Sequence, residues 1–146
     1  MNIVDIKCVA KDNAVFPQYK TKGSAGADIC AFLEESITLK PMERALIPTG
    51  LFFEIPEGFE IQVRARSGLA IKNGIACVNS PGTIDSDYRG EIKVILINLG
   101  SEDFVINNGD RIAQLVVSPV TIGNFLKTDF LEASERGEGG FGSTGK

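Results

Sequence analysis

Histidine and tryptophan are absent from this 146-residue chain. Without histidine it lacks the usual general base near neutral pH and the commonest transition-metal ligand. Acid–base chemistry must then fall to carboxylates, lysine, tyrosine or cysteine. The three cysteines, Cys8, Cys30 and Cys77, are odd in number, far apart and flanked by apolar residues. They indicate neither a disulfide framework nor a zinc site and read as reduced core residues. No apolar run approaches the roughly 20 residues that cross a bilayer, and the opening MNIVDIKCVAKD carries charges where a secretory leader needs its apolar stretch. A cytoplasmic location with no membrane partner is the expectation. Positive charge is also scarce: 15 Lys and Arg against 19 Asp and Glu leave a net charge of −4. That argues against a nucleic-acid groove tracking many phosphates, but leaves room for a small anion held by local arginines or a metal.

What the chain does have is enough apolar material for one core, at 43% hydrophobic residues, distributed in short runs. Phe59 to Arg66 alternates strictly, with Phe59, Ile61, Val63 and Ala65 on one face and Glu60, Gln62, Arg64 and Arg66 on the other, the pattern of a half-buried strand. Comparable segments recur at Ile3 to Val9, Ala27 to Leu33, Ile37 to Leu39, Arg44 to Ile55, Ile75 to Val78, Glu91 to Leu99, Phe104 to Ile106 and Arg111 to Val117, separated by Gly, Pro, Asn or Asp. Many short strands punctuated this way predict an all-β sandwich, barrel or jelly roll. Ser67 to Lys72 is the one helical segment, with Ser67 as its expected N-cap and Asn73-Gly74 as its stop. Ile92 to Ile97 is apolar on both faces except at Lys93, which suits a strand buried on both sides or lying at a subunit contact. The expected division is a core over 1–131 and a mobile, glycine-rich arm over 132–146.

Chemistry concentrates in four places. The run Asn79-Ser80-Pro81-Gly82-Thr83-Ile84-Asp85-Ser86-Asp87-Tyr88-Arg89-Gly90 combines a turn signal at Pro81-Gly82 with two acids and a ring. A hairpin displayed there could read the edge of a flat heterocycle through its backbone, with Asp85 or Asp87 as a base. At Arg66-Ser67-Gly68 a guanidinium, a hydroxyl and free N–H groups meet where a strand enters a helix, a phosphate site by composition. Ala25-Gly26-Ala27-Asp28 places an acid able to position a hydrated metal, and Gly109-Asp110-Arg111-Ile112-Ala113-Gln114 places Gln114 on a strand to bind phosphate or water; Asp110 and Arg111 read as turn and strand-pairing residues. The arm's Gly140-Phe141-Gly142-Ser143-Thr144-Gly145-Lys146 has P-loop-like spacing but lacks the Ser or Thr and the helix that must follow the lysine. It reads as a donor-rich strip, with Arg136 nearby and Phe141 able to stack on a base.

In this order, Ser24 to Ala31, Arg66 to Ala70, Asn79 to Glu91, Gly109 to Val116 and Arg136 to Gly145 closely resemble the motif set of the trimeric dUTPases, the deoxyuridine triphosphate nucleotidohydrolases. The resemblance spans nearly the whole chain, with one departure at Glu138, where the family more often has a small hydroxyl residue. It implies a jelly-roll-like (β-clip) subunit that hydrolyses dUTP to dUMP and pyrophosphate, limiting uracil in DNA and supplying dUMP for thymidylate synthesis. Asp85 would activate the water that attacks the α-phosphorus. Asn79 and the backbone of Gly82, Thr83, Ile84 and Asp85 would pair with uracil, and Tyr88 would lie against the deoxyribose and exclude a 2′-hydroxyl. Arg66, Ser67, Gly68 and Gln114 match the family's phosphate binders; Arg136, Phe141, Gly142, Ser143 and Thr144 match its closing arm. The resemblance further implies Mg2+ on the triphosphate, with Asp28 in its outer shell through water, and a homotrimer whose sites are shared between subunits. Two alternatives stay open on the residues: a dCTP deaminase of the same fold, and a regulatory module that binds nucleotide without turnover.

Overall fold

The structure, a computed structural model, describes residues 2–145. Ten strands and one helix follow in the order β1 (Lys7–Ala10), β2 (Ala27–Cys30), β3 (Ile37–Leu39), β4 (Arg44–Glu54), β5 (Phe59–Arg64), α1 (Ser67–Asn73), β6 (Ile75–Cys77), β7 (Gly82–Ile84), β8 (Glu91–Asn98), β9 (Phe104–Ile106) and β10 (Arg111–Pro119). They form two four-stranded sheets, β1-β4-β8-β6 and β2-β10-β5-β7, and a two-stranded ribbon, β3-β9, all pairings antiparallel. Inward residues of both sheets and of the ribbon, among them Ile29, Leu39, Ile47, Ile61, Leu96, Ile106 and Leu115, belong to a single buried cluster. This is the all-β class that the spacing of the strands predicts, in the jelly-roll-like form that the resemblance implies. Among the described residues no helix is long and apolar enough to cross a membrane.

Several local expectations are corrected. The first strand starts at Lys7 and not Ile3. Ser67 is the first helical residue of α1, not its cap: Arg66, with extended φ −89° and ψ 130°, occupies the N-cap and makes no side-chain capping bond. The helix stops as expected at Gly74, whose left-handed φ of 69° lets its N–H return to Ala70. Ile92, Val94 and Leu96 are buried while Ile95 and Ile97 are half-buried and Lys93 is exposed, so β8 has one core face within the subunit. Only Cys77 of the three free cysteines is buried; Cys8 and Cys30 are half-buried. Burial raises all three thiols above their ordinary pKa, Cys30 further through Asp28 and against the pull of Lys20, Arg111 and Arg66.

Pro81-Gly82 is not the tip of a hairpin. The chain leaves β6 in one sheet, crosses to the other as β7, which pairs with β5, and returns to the first as β8. Gly82 has no left-handed φ; it is needed because a Cβ there would lie 2.9 Å from Asn79 Nδ2 and 3.2 Å from Val63 Cβ. The crossing therefore closes tightly on β5.

Asn98, with no exposed surface, ties the ribbon to the first sheet. Its Nδ2 donates to the carbonyls of Leu39 and Glu102, both at 2.8 Å, and its Oδ1 accepts from the Gly100 N–H at 2.9 Å. Asn98→Ala would strand the buried Leu39 carbonyl and leave the part-buried Glu102 carbonyl and Gly100 N–H without their partner, so a loss of about 2 kcal/mol in urea denaturation is expected, with a native-like circular dichroism spectrum before the transition. A change below about 0.5 kcal/mol, the range of an ordinary surface substitution, would show that this junction is not held by the amide.

Candidate active site

The densest polar cluster sits where β2, β10 and β5 end together. Asp28 Oδ1 accepts from Arg66 Nε at 3.1 Å and its Oδ2 from Arg111 Nη1 at 3.2 Å, and the carboxylate side chain is only 14% exposed. Gln114 lies opposite both Asp28 and Arg64 in the strand register. Its Nε2 donates to the Ala65 carbonyl at 3.0 Å, and its Oε1 occupies the space that a Cβ on Gly26 would fill. Gly26 is thus required for close approach, and the amide is held between two strands. Ser67 and Gly68 follow Arg66 at the start of α1, both exposed, and a Cβ on Gly68 would meet nothing. Arg66, Ser67, Gly68, Gln114 and Asp28 therefore lie together.

Two guanidiniums against one carboxylate leave the cluster one net positive charge, suited to a polyanion. Among the described residues no three metal-ligating side chains gather, and Asp28 is already paired twice. Each of its oxygens keeps a lone pair able to accept from a water. This donor set fits a hydrated Mg2+ carried on phosphate oxygens and touched by Asp28 through water; it does not fit direct ligation. Arg111 is the residue that sequence reading left out of this site, because its reach to Asp28 depends on strand register.

The second group lies on β7 and the turn after it. β7 is the edge of its sheet, so its outward backbone groups are free to pair with a flat ligand. Ile84 and Gly82 are buried and Thr83 is exposed, so the backbone of these residues is the polar part of this edge able to meet a ligand. Asn79 is exposed with its amide against Gly82. Asp85 is exposed, and its carbonyl accepts from the Tyr88 N–H at 3.2 Å. Tyr88 folds back so that its hydroxyl donates to the Glu91 carbonyl at 2.9 Å, over Gly90, where a Cβ would strike the ring. Asp85, Ser86, Asp87 and Arg89 face an open groove of about 800 Å³ bounded also by Phe59, Glu60 and Val120.

Among the described residues, no hydrogen bond or ion pair joins the third group, the arm, to either. The last backbone bond tying this end of the chain to the sheets is Val120 N–H to Gly58 O at 2.9 Å, and 121–131, assigned to the core by composition, carries no strand and is exposed. Arg136 Nε donates to the Gly139 carbonyl at 2.8 Å. The Ser143 N–H returns to Gly140 and the Gly145 N–H to Gly142, both at 3.0 Å. Phe141 is fully exposed with a left-handed φ of 51° between Gly140 and Gly142, and Thr144 is exposed beside it. Lys146 lies outside the described residues.

The dUTPase family model matches residues 12–145. The chain belongs to the dUTPase family. A deoxyuridine 5′-triphosphate nucleotidohydrolase of Treponema denticola is 62% identical over 135 residues, 92% of this chain and 94% of that protein. One from Fusobacterium nucleatum is 53% identical over the full length of both. Among solved structures, the dUTPase of Staphylococcus bacteriophage 80alpha with dUpNHpp superposes with a TM-score of 0.86 at 29% identity over all of both chains. The dUTPase of phage phi11, a mutant solved to show how a structural Mg(II) ion is coordinated, gives 0.78 at 25% identity over 90% of this chain and all of that one.

In this dUTPase, Gly26→Ala should displace the Gln114 amide. The expected result is triphosphate affinity lowered by about tenfold, the scale of one lost charge-assisted hydrogen bond, with Tm lowered by a few degrees. Wild-type affinity for a nonhydrolysable dUTP analogue, measured calorimetrically, would remove Gln114 from the site.

Proposed function

We propose that this dUTPase hydrolyses dUTP to dUMP and pyrophosphate in the cytoplasm, as a homotrimer whose sites combine residues of different subunits, limiting uracil in DNA and supplying dUMP for thymidylate synthesis. The single observation that carries the shared-site reading is that the Asp85 turn and the phosphate cluster sit at opposite ends of β5 within one chain. Ile84 pairs with Ile61, near the start of β5, so Asp85 sits at that end of the sheet, whereas Arg66 lies past the other end of β5. At about 3.3 Å per residue the two are roughly 20 Å apart. A general base works within about 3 Å of the proton it removes, so groups so far apart cannot act on adjoining atoms of one triphosphate. Sites completed by another copy remove the conflict. The tail supports the same reading: Ile122, Phe125, Leu126, Phe130 and Leu131 are all at least 72% exposed, an apolar segment that one subunit leaves uncovered.

In such a site Asp85 accepts a proton from the attacking water, and its carboxylate is free for this because no described residue of its own chain bonds it or pairs with it. Attack at the α-phosphorus then expels pyrophosphate. Arg66, Ser67, Gly68 and Gln114 hold the phosphate oxygens, and Arg136, Ser143 and Thr144 add donors when the arm closes. Asp28 would hold a hydrated Mg2+ through water, and the ion when bound would supply charge neutralisation to the triphosphate. The β7 backbone and Asn79 pair with uracil, Phe141 stacks on it, Gly142 lets the arm turn there, and Tyr88 packs against the deoxyribose.

Asp85→Asn should keep analogue affinity near normal while turnover falls by about a hundredfold or more, the scale of a lost general base. Solvent 18O should appear in dUMP; label in pyrophosphate would contradict attack at the α-phosphorus. Deleting residues 132–146 should leave the oligomer intact by sedimentation yet abolish most turnover, since the donors of the arm and Phe141 are lost together. Full activity of that truncation would make the arm a passive tail.

A further inference from the structure

β10 does not run against β2 in simple alternation. Gln114 faces Asp28 and Ala113 faces Ile29, but Arg111 faces Cys30, with a bulge between Arg111 and Ala113. Regular pairing from Gln114 would place Ile112 opposite Cys30 and leave Arg111 pointing to the other side of the sheet. The bulge turns Ile112 and Ala113, adjacent in sequence, both inward, and both are buried. Arg111 is thereby returned to the face that carries Asp28 and Gln114, the kind of re-aiming for which strands bend near functional sites. Its Nη1 meets Asp28 Oδ2 at 3.2 Å, while Arg66 takes Oδ1 at 3.1 Å and reaches the Arg111 carbonyl through Nη1 at 3.5 Å.

We propose that Arg111 is a positioning residue for the phosphate site, acting through Asp28. It occupies Oδ2 and neutralises the carboxylate, so Arg66 meets Asp28 through Nε alone, rests Nη1 loosely on the Arg111 carbonyl, and keeps Nη2 and its net positive charge for the triphosphate. Without Arg111, Asp28 has both oxygens free to pair with Arg66 in the two-pronged geometry that a guanidinium favours. The local charge then falls to zero, and carboxylate competes with phosphate for the same donors. The bulge exists at this point because both Arg111 and Gln114 are needed on one face. This proposal rests on reading Arg66 as a phosphate binder.

The test is calorimetric affinity for dUpNHpp without magnesium, so that the metal contact of Asp28 does not enter. Arg111→Gln should bind about tenfold more weakly, the effect of one lost local charge, and in steady state KM should rise by a similar factor with kcat within about threefold. Asp28→Asn combined with Arg111→Gln removes the competing carboxylate and should restore affinity to within about threefold of wild type. A residue that merely holds the fold would show no such rescue. Arg111→Lys retains the charge, and should bind within about threefold of wild type even if Arg111→Gln folds poorly. Unchanged binding by Arg111→Gln, a double variant no tighter than the single one, or a tenfold loss in Arg111→Lys would overturn the proposal. Wild-type affinity in Arg66→Gln would instead overturn the phosphate reading on which it depends.

Discussion

The register of β10 is the constraint on which the site depends. This strand pairs with β2 on one side and β5 on the other, so it fixes Asp28, Gln114 and the exit of β5 toward Arg66 relative to one another. Backbone hydrogen bonds in a ladder are individually modest, but a slip of one residue would turn every side chain to the opposite face. The buried alternation of Ala27 and Ile29 against Ala113 and Leu115 makes such a slip costly. The polar cluster inherits its precision from apolar packing on the other side of the same strands. Gly26 completes it by leaving space that the Gln114 amide fills.

A second constraint is the crossing between sheets at β7. By leaving the β6–β8 sheet to cap the free edge of β5, the chain leaves one edge of β7 with unpaired backbone groups. The same route sends Asp85 to the end of the sheet far from Arg66. The proposed assembly follows from that geometry: the sandwich holds the Asp85 turn and the Arg66 cluster at opposite ends of β5 within a chain. The exposed apolar tail beyond Val120 points the same way, since ordering such a segment against a partner surface gains apolar burial that the isolated subunit does not provide.

Sequence patterns conveyed the fold class because each strand carries its own period-two signal and its own turn residues. Ile37–Leu39, Phe104–Ile106 and the stop at Gly74 were legible within a few residues. The chemistry-bearing segments were legible too, since each is contiguous: Arg66-Ser67-Gly68, Asn79 to Tyr88, and the arm. Strand ends and caps were less so. Ser67 has the composition of an N-cap, yet Arg66 takes that position, where it keeps its guanidinium on Asp28. Pro81-Gly82 has the composition of a hairpin turn, yet Gly82 is selected by the closeness of Asn79 and Val63.

By itself the sequence determined the all-β class, the lack of any histidine and, through the order of its motifs, the likeness to dUTPases, because all of these are written in local composition and spacing. Tertiary structure alone decided that Arg111 joins Asp28, that β7 pairs with β5, and that Asp85 and Arg66 stand at opposite ends of β5. Those depend on which residues of distant strands come opposite one another. Register is a property of pairs of strands, and no single segment encodes it.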